Sequence, residues 1–258
     1  MTLSVAFHTL DITTLDGAAD AYLAQPDDGR AYPGVLFLPD AFGLRPWIWE
    51  MVETIAAQGY VVLAPNFFYR AGKAPVLPLP DFSEPDARAN FFSALAPLRE
   101  QLTPELALRD LGAYLNRLAD DEHVVPGGLG IVGYCMGGRL ALRAAGEYGP
   151  RVAAAASFHG GGLAVDDAPD SPHHAAGRIE AELFIAHADA DPSIPAEQIA
   201  VLDKALDAAG LRYTSVVYPG VSHGFTMRDV PVYDEDSYQR HLSDLLDLLR
   251  RNLPGEAA

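Results

Sequence analysis

Gly130-Ile131-Val132-Gly133-Tyr134-Cys135-Met136-Gly137-Gly138 decides the reading of this chain. Residues 130–133 form a short apolar run and read as a buried strand. Residues 137–147 are rich in small residues and read as a helix. Between them Cys135 stands two residues from a glycine on either side. A sharp strand-to-helix turn forces its central residue into a strained backbone conformation, and side chains beside it would collide. Glycines at those two positions remove the collisions. The helix that follows directs its N-terminal dipole at the sulfur, which favours a thiolate, and its first amides can donate to an oxyanion. A buried structural cysteine in a glycine-rich packing turn would use the same letters, so the context has to decide between them.

Working outward, apolar runs at 35–38, 60–64, 152–158, 182–187 and 213–218 read as further strands. Helical periodicity runs through 46–58, 106–118, 195–209 and 237–251, with Gly59 and Gly210 as stops. Residues 6–13 and 19–23 around Asp16-Gly17 read as an antiparallel hairpin. A hairpin followed by strand–helix units predicts an α/β protein: a mostly parallel sheet, helices on both faces, and one domain over 1–258. In such sheets the ligand crevice lies at the carboxyl ends of the strands, so chemistry is expected just after each one. Segments 66–85 and 160–178 show little regular pattern and read as lids or binding loops. The tail at 254–258 is expected to fray.

A base and an acid must come from elsewhere in the chain. His223 follows the 213–218 strand, in Tyr218-Pro219-Gly220-Val221-Ser222-His223-Gly224-Phe225. His159 ends the 152–158 strand and is a pocket candidate. Asp189 and Asp191 both follow the 182–187 strand, and either can orient the imidazole through its second nitrogen. The order nucleophile, acid, base is that of the α/β-hydrolase fold.

These segments together resemble the dienelactone hydrolase family. The resemblance rests on the cysteine turn, on Asp191-Pro192-Ser193-Ile194-Pro195, on His223-Gly224-Phe225, and on Leu38-Pro39-Asp40-Ala41-Phe42-Gly43. It covers nearly the whole chain. It implies an acyl-cysteine hydrolase of small esters or lactones with a Cys135–His223–Asp191 triad, no metal and no organic cofactor. The family register relative to Pro195 selects Asp191 over Asp189. The amides of Ala41 and Met136 would form the oxyanion hole. Asp40 stands where the family usually has glutamate, with the implied role of accepting the resting thiol's proton; its side chain is about 1.5 Å shorter. For the family's substrate-binding arginines, Arg228 lies near the histidine turn but out of register, and Arg70 and Arg88 are available in the middle loop. Tyr69 beside Arg70 completes the pocket candidates.

Composition narrows the alternatives. The chain has 258 residues, 49% of them hydrophobic, and a formal net charge of −17. An acidic chain without clustered Lys/Arg excludes nucleic acid and anionic membrane surfaces as expected partners. A single cysteine cannot form an internal disulfide. No secretory signal and no long apolar run is read, so a cytoplasmic setting is expected, as a monomer or homodimer. Two other functions fit the same residues: acyl transfer from the thiol to a nucleophile other than water, and a catalytically silent binding protein of the same fold.

Overall fold

Alternation of inward and outward side chains opens the sheet. β1 (Val5–Thr14) and β2 (Gly17–Pro26) pair antiparallel from Val5↔Pro26 to Thr14↔Gly17. The connecting turn is Leu15-Asp16, one residue earlier than expected, because Gly17 at φ 137° already belongs to β2. This is a conformation that L side chains rarely adopt. The computed structural model describes residues 2–253 and residue 255; apart from Gly255, the expectation for 254–258 lies outside the described residues.

The chain then alternates β3 (Gly34–Leu38), α1 (Pro46–Ala56), β4 (Val61–Pro65), α2 (Ala87–Gln101), α3 (Pro104–Ala119), β5 (Leu129–Tyr134) and α4 (Met136–Tyr148). It continues through β6 (Val152–Phe158), β7 (Glu182–Ala190), α5 (Ala196–Ala208), β8 (Tyr213–Ser222) and α6 (Glu235–Asn252). The sheet order is β1-β2-β4-β3-β5-β6-β7-β8, antiparallel at β1–β2 and β2–β4 and parallel from β4 to β8. β3, β4 and β5 are buried throughout because both faces of the sheet are covered. Trp47, Ile48 and Met51 of α1 and Leu245 and Leu249 of α6 pack with Phe37 and Val132 on one face. Leu111 and Leu115 of α3, Leu140 of α4 and Leu202 of α5 pack with Leu36 and Ile131 on the other.

Two differences from the sequence reading bear on the site. β7 and β8 run further than expected, to Ala190 and Ser222, so Asp191 and His223 are each the first residue past a strand. A helix absent from the sequence reading, α2, follows the 66–85 segment. It buries only Phe91 and Leu95 and contains Pro97, so it lacks the apolar stripe by which an amphipathic helix is recognised.

Candidate active site

The turn after β5 is built as its glycines require. Cys135 adopts φ 53°, ψ −113°, and α4 begins at the next residue. A Cβ at Gly133 would lie 2.0 Å from the Gly137 carbonyl oxygen, and one at Gly137 would lie 2.1 Å from that of Leu38. Both obstacles are backbone, so neither can rotate away. We expect Gly137→Ala to cost about 3 kcal/mol or more, at or beyond the upper end of ordinary overpacking. Gly177, where an added Cβ meets nothing within 4 Å, should accept alanine with little change. Thermal denaturation of the two variants side by side checks this.

Cys135 is half-buried, with its backbone N–H donating to Phe158 O at 3.1 Å on β6. The Met136 amide sits at the first helical position, where no intrahelical acceptor exists. Across from it, Ala41 lies in the bend that follows β3, and its amide donates to no other group among the described residues.

Strand ends bring the base and acid alongside. His223 Nδ1 lies 2.7 Å from Asp191 Oδ2. The other carboxylate oxygen, Asp191 Oδ1, accepts from the Ser193 amide at 2.9 Å and the Ser193 hydroxyl at 2.5 Å. The Asp191 side chain is fully buried. Burial pushes its carboxyl upward, but His223 and the Ser193 donors outweigh that and hold it below the ordinary range. Burial likewise pulls the His223 imidazole down, while the facing Cys135 and Asp191 raise it to about 10. Asp189 is exposed and accepts from the Gly220 amide instead.

Cys135, His223, Asp40, Ala41 and His159 line one cavity, closed by Phe42, Arg88, Phe92, Met227 and Val230. His159 is wholly buried at φ 41°, with Nε2 2.8 Å from the Thr226 hydroxyl and its ring centroid 5.1 Å from that of His223. Burial first, then the charges of His223 and His241, keep it well below the usual imidazole range, and therefore neutral. The cavity measures about 30 Å³, the share of one water in the liquid. Ligand pockets usually exceed about 300 Å³, and α2 narrows this one through Arg88 and Phe92. A cleft of about 440 Å³ beyond Met136 is lined by Arg99, Arg139 and Asp170, and none of the three triad candidates faces it.

Four expectations need correction. Tyr69 accepts a hydrogen bond from Thr14 at 2.7 Å and lies against Asp110, under the β1–β2 hairpin and away from the cavity. Arg70 pairs with Asp16 at 2.6 Å and Asp110 at 2.8 Å in the same network. Arg228 lies over the Trp47 ring at 4.2 Å and pairs with Glu50, outside the cavity wall. Asp40 faces the cavity, yet both its oxygens bind Arg45, at 2.7 and 3.0 Å, and Oδ1 also accepts from the Phe42 amide. The Asp40 carboxylate is thus turned toward Arg45, and among the described residues no contact with the Cys135 sulfur is recorded for it. Arg88, one of two arginines considered for the middle loop, is the one that reaches the cavity. It does so because α2 forms, and a Phe91-x-x-x-Leu95 spacing was the one sequence signal for that helix.

Comparison with known proteins agrees with this architecture. The dienelactone hydrolase family profile matches residues 19–253. A Yersinia pestis protein named "Putative carboxymethylenebutenolidase" is 30% identical over 241 residues, 91% of this chain and 85% of that one. A Bradyrhizobium protein named "Probable 2-oxo-3-(5-oxofuran-2-ylidene)propanoate lactonase" is 26% identical and covers 99% of this chain and 98% of its own. A Klebsiella pneumoniae crystal structure described as a "Putative Dienelactone Hydrolase" superposes with a TM-score of 0.79 at 24% identity, over 94% of this chain and 99% of that one. No helix among the described residues is long and apolar enough to cross a membrane. The chain is a hydrolase of the α/β-hydrolase fold and belongs to the dienelactone hydrolase family.

Proposed function

We propose that the protein hydrolyses small carboxylic esters or lactones through an acyl-cysteine. The observation that carries this is the grouping of Cys135, His223 and Asp191 at three strand ends, with Ala41 in the same cavity wall as Cys135 and the Met136 amide at the first position of α4. In the first half-reaction Cys135 Sγ attacks the acyl carbon, and the two amides bind the developing oxyanion. The His223 imidazolium gives its proton to the departing oxygen, which leaves as an alcohol or, in a lactone, as the freed hydroxyl. In the second half, neutral His223 takes a proton from water, and the hydroxide attacks the acyl carbon. The thiolate departs, the acid is released, and the imidazolium is restored. Asp191 keeps the imidazole in the tautomer that both halves need.

The first test is hydrolysis of a chromogenic short-chain ester before and after alkylation of the single thiol. Loss of turnover in step with alkylation is the expected result, and unchanged turnover after complete alkylation would remove the thiol from the reaction.

Arg88 brings a cationic side chain to the cavity wall, lying over the Phe92 ring at 5.3 Å. That supports substrates whose acyl portion carries a carboxylate. Arg88→Gln should raise KM for such an ester about 10- to 100-fold, the worth of one charge-assisted hydrogen bond. KM for a neutral ester of the same size should stay near its original value. Equal effects on both esters would show that Arg88 shapes the cavity without reading charge. A reducing, cytoplasmic setting suits an enzyme that depends on a free thiol.

A further inference from the structure

Arg45 occupies the residue before α1 and is 4% exposed. Its guanidinium uses every N–H it has. Nη1 donates to Asp40 Oδ1 at 2.7 Å and to Gly43 O at 3.0 Å. Nη2 donates to Asp40 Oδ2 at 3.0 Å and Asp229 Oδ1 at 3.1 Å, and Nε donates to Asp229 Oδ2 at 2.6 Å. One side chain therefore holds two loops 184 residues apart in sequence. The first, 39–44, carries the Ala41 amide; the second, 223–230, carries His223. Neither loop belongs to a helix or strand. Phe42 lies under the guanidinium at 5.4 Å and lines the cavity. Nearby, Trp47 Nε1 donates to the Thr226 carbonyl at 3.0 Å, and Thr226 is the residue that holds His159.

A buried ion cluster of this kind is weak evidence for stability, since desolvation offsets most of its Coulomb gain. Its geometry is better suited to fixing positions. The planar five-donor fork can satisfy two carboxylates at once, which an ammonium cannot. We infer that Arg45 is a positioning residue that clamps the oxyanion loop to the histidine loop, so that the Ala41 amide and the His223 imidazole keep one spacing about the Cys135 sulfur. The inference rests on the reading of Cys135 and His223 given above. It also explains why Asp40 is turned to Arg45 rather than to the thiol.

The experiment compares Asp229→Ala and Arg45→Lys with Cys135→Ala and with Glu50→Gln. The last loosens the exposed contact of Arg228, on the histidine loop, with Glu50 of α1 without touching the clamp. Turnover of the chromogenic ester is measured well below each variant's melting temperature. With the clamp loosened, kcat should fall about 10- to 100-fold, as for a misplacement near 1 Å. KM should change little, and Glu50→Gln should keep the original kcat. Original kcat in folded Asp229→Ala, with Cys135→Ala inactive, overturns the clamp and leaves the nucleophile assignment intact. Activity surviving in Cys135→Ala overturns the nucleophile assignment and the clamp with it. Should Arg45→Lys fail to fold, Asp229→Ala decides alone, because Asp229 is 22% exposed and its removal leaves the Asp40–Arg45 pair in place.

Discussion

Replacing Cys135 by alanine should lower ester turnover by about three to six orders of magnitude while the melting temperature stays near that of the parent protein. The separation of the two effects is what makes the result informative. The sulfur is only half-buried and makes no disulfide, so alanine removes little packing. Alanine also accepts the strained backbone about as well as cysteine does, because both carry a Cβ. The chemistry has no substitute: among the described residues no other cysteine exists, and Ser157, wholly buried on β6, does not line the cavity. Serine at 135 should be poor as well, since a hydroxyl needs a stronger base than a thiol and the raised His223 is suited to stand beside a thiolate. Steady-state kinetics on purified variants, with melting curves from the same preparations, checks both. Turnover within tenfold of the parent in Cys135→Ala would dismiss the acyl-cysteine.

Asp191→Asn should cost about 10³- to 10⁴-fold in kcat, by analogy with loss of the orienting acid in other triads. Asp189→Asn should cost almost nothing. The two aspartates stand two residues apart, and their surroundings separate them. Asp191 is fully buried, 2.7 Å from His223 Nδ1, whereas Asp189 is exposed on a β8 turn amide. An amide at 191 can offer its NH₂ to Nδ1, which selects the tautomer with the proton on the wrong nitrogen. The pH profile gives a second readout. Cys135 and Asp191 raise the imidazole to about 10, so the charged form persists from acid up to that point, and the alkaline limb of kcat/KM should lie near pH 10. Removing the Asp191 charge removes one of the two groups that raise the imidazole, so the limb should move toward neutrality. A limb that stays put in Asp191→Asn would mean that His223 is not the titrating group; the reverse ranking of the two aspartates would mean that the acid was assigned to the wrong strand-end residue.

What the sequence determined by itself is whatever local sterics and periodicity control. Gly133, Cys135 and Gly137 specify a strand-to-helix turn because the carbonyl oxygens of Gly137 and Leu38 stand 2.0 and 2.1 Å from where side chains would begin. The apolar runs of β3 and β5 specify strands covered on both faces, and with them a crevice at their carboxyl ends. β7 and β8 extend a few residues past their apolar runs, yet Asp191 and His223 still lie next to one another, since parallel neighbours deliver consecutive strand ends to the same edge. Partnerships across the fold were not legible. Arg70 and Arg88 look alike along the chain; one is drawn to Asp16 and Asp110 beneath the hairpin, and the other is carried to the cavity by a helix with almost no apolar stripe. Asp40 reads as a proton acceptor along the chain, but the fold lays on its oxygens the guanidinium of Arg45, which Asp229, 184 residues away, holds from the other side. Side-chain reach and local pattern are properties of a segment, but the charge that a buried group meets belongs to segments far away in the chain, and only the folded structure decides which of them arrive.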